Sequence, residues 1–172
     1  DRHISRRSVA HGTRSWRRTG AMDEISTAFA MTYAVALAML QRDGQWLLQL
    51  RDDIATIIYP GHWGLFGGHL DPGETATEAV MRELKEEIDW TPRTPLELWF
   101  SHNNGTRIAH VFRGSLDVPL EQLQLLEGQD LKLVSLEQLQ RGTVWSDHCR
   151  EQRPIAPGLQ IVIERLISEL DG

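Results

Sequence analysis

The sequence predicts an α/β fold, a mixed β-sheet with helices on both faces, and three observations carry that reading. Apolar runs of strand length, separated by turn residues, recur between Thr32 and Ser135. Residues 75–88 and 159–170 carry apolar side chains at helical spacing. Strands and helices follow one another in an order that suits a layered α/β arrangement. YAVALAML and QWLLQL, residues 33–40 and 45–50, flank Asp43-Gly44 and read as a hairpin. HWGLFGG, residues 62–68, leads a short strand into a glycine turn. Thr75 or Thr77 can open a helix that ends near Ile88, before Pro92 forbids continuation. Val80, Leu84 and Ile88 form its apolar stripe. PLELWFSH, TRIAHVFRGSL and DLKLVS read as three more strands, and SLEQLQ as a short helix capped by Ser135. LQIVIERLISEL closes the chain as an amphipathic helix whose start is marked by Pro157 and Gly158. There are no internal repeats or low-complexity stretches.

Composition fits one soluble enzyme-sized domain. The chain has 172 residues, 41% hydrophobic and 24% charged, enough for a buried core without the bias of a disordered or membrane protein. Its longest apolar run, around Ala34 to Leu40, is far too short to span a bilayer. The single cysteine, Cys149, has no internal disulfide partner, which fits a reducing, cytoplasmic setting. His148 beside it does not make a catalytic dyad, because sequence neighbours rarely pair in that way. Residues 1–21 hold six arginines and one aspartate, a net +5, so residues 22–172 carry −11 against the whole-chain −6. An acidic body is a poor general binder of nucleic acid. The basic head is expected to be a disordered segment or leader, with residues 22–172 forming one domain.

Carboxylates carry the chemistry. A helix turns about 100° per residue, so Glu83, Glu86 and Glu87 fall within roughly a 100° arc and repel one another. That acid face is expected to look outward into a cleft while the apolar stripe is buried. A hard divalent cation would turn the repulsion into binding. Oxygen ligands select Mg²⁺, Mn²⁺ or Ca²⁺ over zinc, and Mg²⁺ commonly shares its shell with substrate phosphates. The helix alone equally fits a solvated acidic surface, and the wider spacing decides between the two.

Gly68, Glu74, Arg82, Glu83, Glu86 and Glu87 stand at G-x5-E-x7-R-E-[apolar]-x-E-E. Six such identities coincide by chance on the order of once in ten million positions. The spacing resembles the Nudix box, GX5EX7REUXEEXGU, of the Nudix hydrolase family. Asp89 stands where that pattern has Gly, and Trp90 where it has a smaller aliphatic residue. Asp can take the left-handed conformation at a cost of about 1 kcal/mol, so lower stability or a shifted helix exit is expected, with no ligand lost.

The resemblance implies an α/β/α sandwich and a set of roles. Glu83 and Glu87 would be the main metal carboxylates, Glu86 a third ligand or a base, and Gly67 a carbonyl donor to the metal. Arg82 would hold a carboxylate in place, with Glu78 and Glu86 each four residues away. Glu74 would bond backbone donors or a water-bridged metal, or serve as a helix-start acid. Glu127, in the EGQ segment that resembles the MutT-type branch, would add a further ligand; its other reading is a turn on Gly128. Glu83, Glu86 and Glu127 are each candidates for the base that takes a proton from water. Arg51 resembles the arginine that MutT-like members place at the end of the second strand and is a candidate phosphate ligand.

Trp63, Leu65 and Phe66 could stack on a base or sugar or pack in the core; many family members have Pro in place of Phe66. His69 and His102 are candidates to contact phosphate or to cap turns, His69 more so because it follows the glycine pair. RPIAPG occupies the region where oxidised-guanine sanitising relatives use an Asn, so 8-oxo-dGTP is not named. The implied activity is Mg²⁺-dependent hydrolysis, with Mn²⁺ the alternative ion, of the phosphoanhydride in a nucleoside di- or triphosphate derivative. An ADP-ribose or nucleotide-sugar pyrophosphatase is the alternative, and a non-catalytic nucleotide sensor the third reading. The complete carboxylate set favours catalysis. The expected partner is a nucleotide-type small molecule, the protein acting as a monomer or homodimer.

Overall fold

The computed structural model describes residues 32–172, and the basic head at residues 1–21 lies outside them. β1 (Tyr33–Arg42) and β2 (Gln45–Leu50) form the expected hairpin, with Asp43 and Gly44 at φ 51° and 73°. Two positive-φ residues give the turn the twist that the strands require. β3 (Trp63–Gly64), β4 (Phe66–His69) and α1 (Ala76–Ile88) follow, then β5 (Glu97–Asn103), β6 (Arg107–Ser115) and β7 (Asp130–Val134). The chain continues through α2 (Leu136–Arg141), β8 (Thr143–Ser146), β9 (Glu151–Pro154) and α3 (Gln160–Leu170).

Seven strands make one mixed sheet in the order β3-β2-β1-β6-β5, with β4 also pairing β1 and β7 also pairing β2. β1 lies parallel to β6 from Tyr33↔Arg107 to Gln41↔Ser115 and antiparallel to β4 from Val35↔His69 to Ala38↔Phe66. Successive side chains of a strand point to opposite faces. Ala36, Ala38 and Leu40 therefore join Ala79, Val80, Leu84 and Ile88 of α1 in one core cluster. Met39 joins Leu48 and Val111 with Val162, Ile163 and Leu166 of α3 in the other. The observed fold is an α/β/α sandwich, as the sequence predicts.

Both predicted caps form. The Thr75 hydroxyl accepts from the Glu78 amide at 3.1 Å while the Glu78 carboxylate accepts from the Thr75 amide, which fixes the start of α1. Ser135 and Gln138 make the same reciprocal pair at the start of α2. α1 stops at Asp89, which sits at φ 49°, ψ 46°, its amide donating to the Lys85 carbonyl. The left-handed stop survives without glycine.

One hairpin was not foreseen. β8 and β9 pair antiparallel from Thr143↔Pro154 to Ser146↔Glu151, although EQRP shows no apolar alternation. Tertiary ties hold it: Trp63 Nε1 donates to the Val144 carbonyl at 3.1 Å, and Ser146 Oγ donates to Asp130 Oδ2 at 2.7 Å. No helix among the described residues is long and apolar enough to cross a membrane.

Candidate active site

Two adjacent glycines on β4 allow close approach on its two sides: Gly68 toward Glu83 of α1 and Gly67 toward β1. Gly67 has φ 136°, and a Cβ there would fall 2.0 Å from the Ala36 carbonyl oxygen, so a side chain is excluded. Its amide donates to Glu87 Oε1 at 2.9 Å. A Cβ on Gly68 would sit 2.7 Å from Glu83 Oε1, so the Glu83 carboxylate lies directly over the second glycine. The glycine turn and the acid helix are thus one unit.

The three helix acids occupy different environments. The Glu86 side chain is 53% exposed and that of Glu83 15%, whereas Glu87 is only 2% exposed. The expectation of a uniformly outward acid face is corrected: α1 is rotated so that Glu87 turns in toward the sheet. Burial, then the charges of Glu127 and Glu83, push the Glu87 carboxyl well above the usual range, with the Gly67 amide opposing. Glu83 is also pushed up by burial; Arg82 draws it back, while Glu86 and Glu127 push it further. Glu127, from the distant EGQ segment, is therefore close enough for its charge to act on both buried acids.

Arg82 organises the outer side of the cluster. Its Nε and Nη2 donate to Glu74 at 2.8 and 2.9 Å, and its Nη1 donates to Glu83 at 3.0 Å and Glu86 at 3.2 Å. Nη2 also donates to the His69 carbonyl at 3.0 Å. The expected partner Glu78 is instead occupied by the Thr75 cap. Glu74 accepts from the Asp71 amide as well, at 2.9 Å. Its bond to Arg82 is the main reason that its carboxyl drops to about 2, and Arg82 in turn is held above its ordinary value.

Among the described residues no three His, Cys, Asp or Glu side chains enclose a ready-made metal cage. The donor chemistry nevertheless fits a hard cation. The converging donors are carboxylates, two of them largely buried, and burial first, then neighbouring charges that include Glu127 for both, pushes the two upward. Arg82 is already clasped to Glu74, so a cation is the counter-charge that would stabilise the ionised pair.

Trp63 and Phe66 have no exposed surface and pack in the two core clusters. A ligand cannot reach them, so the stacking expectation is corrected to core packing. Leu65 is likewise buried. Arg51 Nε donates to the Ile58 carbonyl at 2.8 Å within the loop that follows β2. His69 is exposed, with its ring centroid 5.1 Å from that of Tyr33. Desolvation, then the charges of Arg107 and Arg51, hold its imidazole below the ordinary value even so.

Arg107 also lines a cleft of about 280 Å³ between the sheet and the start of α3, together with Phe100, His102, Gln160 and Glu164. His69 feels the charge of Arg107 from this cleft on its ring, while its carbonyl accepts from Arg82. Sequence reasoning missed Gln49, a buried polar residue whose Nε2 donates to Glu87 Oε2 at 3.2 Å and to the Glu127 carbonyl at 2.9 Å. One polar side chain inside the apolar run WLLQL was the available signal.

The NUDIX domain family model matches residues 31–151. The nucleoside triphosphatase NudI of Escherichia coli O9:H4 (strain HS) is 40% identical over 55 residues, 31% of this chain and 38% of that protein. The chain thus spans little more than a third of the length of the curated relatives that it matches. Among solved structures, the MutT protein of Methanosarcina mazei Go1 superposes with a TM-score of 0.61 at 23% identity, covering 82% of this chain and 96% of that one. The NUDIX domain of Shewanella oneidensis NrtR, solved with ADP ribose, gives 0.61 at 20% identity, covering 87% and 99%. At these identities the two structures speak for the fold.

Proposed function

Because the chain belongs to the Nudix family, whose domain model matches residues 31–151, we propose that it is a divalent-metal-dependent hydrolase that cleaves the phosphoanhydride of a nucleoside di- or triphosphate derivative. The observation that carries this reading is the meeting of Glu83 and Glu87 on the glycine turn with Glu127 beside them. Such a crowd of like charge is costly unless it holds a cation. Mg²⁺, or Mn²⁺ in its place, would be held by Glu83 and Glu87 with Glu86, Glu127 and the Gly67 carbonyl as further donors; when bound it neutralises phosphate charge and acidifies water.

The chain's own residues supply orientation and proton transfer. Gly67 and Gln49 fix the two oxygens of Glu87. Arg82, anchored by Glu74, steers Glu83 and Glu86 and thereby acts through them. A carboxylate beside the attacking water takes its proton, and Glu83, Glu86 and Glu127 are the groups available for it. Arg51, whose charge acts on the His69 imidazole, and His69 itself are the candidates to donate to the phosphate chain. The catalytic domain in this reading falls within residues 22–172.

The test is turnover of purified protein against nucleoside triphosphates, nucleoside diphosphates, ADP-ribose, nucleotide sugars and dinucleoside polyphosphates, with Mg²⁺, Mn²⁺ or EDTA. Chelator-sensitive hydrolysis of a nucleoside di- or triphosphate supports the reading. Exclusive hydrolysis of ADP-ribose or a nucleotide sugar would replace its substrate class. Tight nucleotide binding with no turnover under either ion would overturn catalysis.

A further inference from the structure

Gln49 is a polar residue in a buried strand, 4% exposed and flanked on β2 by Leu48 and Leu50, which have no exposed surface. Burying an amide without partners costs free energy, so its bonds show what the site is built around. Its nitrogen faces two acceptors, Glu87 Oε2 at 3.2 Å and the Glu127 carbonyl at 2.9 Å. Two acceptors on one side fix which end of the amide is the NH₂ group.

The surrounding backbone closes the same joint. The Leu126 amide donates to the Glu87 carbonyl and the Gln129 amide to the Leu50 carbonyl, both at 2.8 Å. Gly128, between them at φ 95°, lies so close that a Cβ would meet the Leu50 carbonyl at 2.8 Å and the Gln49 side chain at 2.9 Å. Glu127 is therefore delivered by a segment docked on the end of β2 and the end of α1, with Gln49 as the side-chain tie between them.

We propose that Gln49 is a positioning residue for the metal site: its amide couples the buried Glu87 carboxylate to the Glu127 segment, so that acids from two distant parts of the chain are presented to one cation. The inference rests on the metal-dependent reading above. A neutral donor suits the task. It takes one lone pair of Glu87 Oε2 and leaves the carboxylate charge in place, whereas an arginine or lysine at position 49 would neutralise Glu87 and compete with the cation.

Two measurements test this without relying on turnover. Mn²⁺ binding followed by electron paramagnetic resonance compares the wild type with Gln49→Met, which keeps length and volume and loses the donor. The variant is expected to bind Mn²⁺ about tenfold more weakly or worse, at an unchanged circular dichroism spectrum. In ¹⁵N-labelled wild-type protein, the Gln49 side-chain NH₂ resonances should shift on Mg²⁺ addition; this readout does not depend on the variant folding. Equal Mn²⁺ affinity in a folded Gln49→Met, or NH₂ resonances that Mg²⁺ leaves unmoved while wild type binds the ion, would overturn the role of Gln49 alone. A wild type that binds neither ion would overturn the metal-dependent reading itself.

Discussion

Glu87 is held against the sheet by the Gly67 amide and the Gln49 side chain while Glu83 and Glu127 repel it. Its ionised form is destabilised by folding and, in the proposed reading, would be stabilised by a cation, so Glu87→Gln separates the two effects. Turnover should fall by about 100-fold or more, since loss of even an outer partner of a metal ligand costs 10–100-fold. The metal-free variant should melt no lower than wild type at pH 8, because the neutral amide removes a buried charge; calorimetry in EDTA checks this. Glu74 behaves in the opposite sense. Its folded carboxyl is depressed to about 2 from an ordinary value of 4.5. Its contribution to stability is therefore present above about pH 4.5 and is lost as pH falls toward 2. The melting gap between wild type and Glu74→Gln should be widest near neutrality and close across that window. The box spacing made the identity of these acids legible in sequence. Their burial was not, because it depends on how α1 is rotated against β4. For the same reason sequence could not tell whether Trp63 faces a ligand or the core.

α1 shows what a helix end tolerates. Asp89 holds the left-handed stop that a glycine would hold without strain, and an exposed pair with Lys85 recovers little. Asp89→Gly is expected to raise the melting temperature by about 3 °C, the shift that about 1 kcal/mol produces at this chain length. A fall, read by differential scanning calorimetry, would mean that the Lys85 pair outweighs the strain. Caps and turns such as Thr75, Ser135 and Asp43-Gly44 were readable from local chemistry, and the structure keeps all three. The β8–β9 hairpin was not readable, since its partners Asp130 and Trp63 lie 16 and 81 residues from the positions they hold. Gln49 belongs to the same class: its role appears only when β2, α1 and the EGQ segment meet.

At the scale of the whole molecule, the family match begins at residue 31 and the basic head precedes it. Removing residues 1–21 is expected to leave kcat/KM unchanged against the nucleotide turned over by the full chain; a loss of tenfold or more would make the head part of the catalytic protein. The sheet order has a different kind of consequence. Among the described residues β1 is the first strand to leave the ribosome, yet its full-length parallel neighbour β6 lies 74 residues downstream, Tyr33 pairing with Arg107. Loop closure over that distance has to precede the contacts that reward it. During synthesis β1 has hairpin and β4 contacts on one edge and an open row of amides on the other, the kind of edge that invites pairing with a second chain.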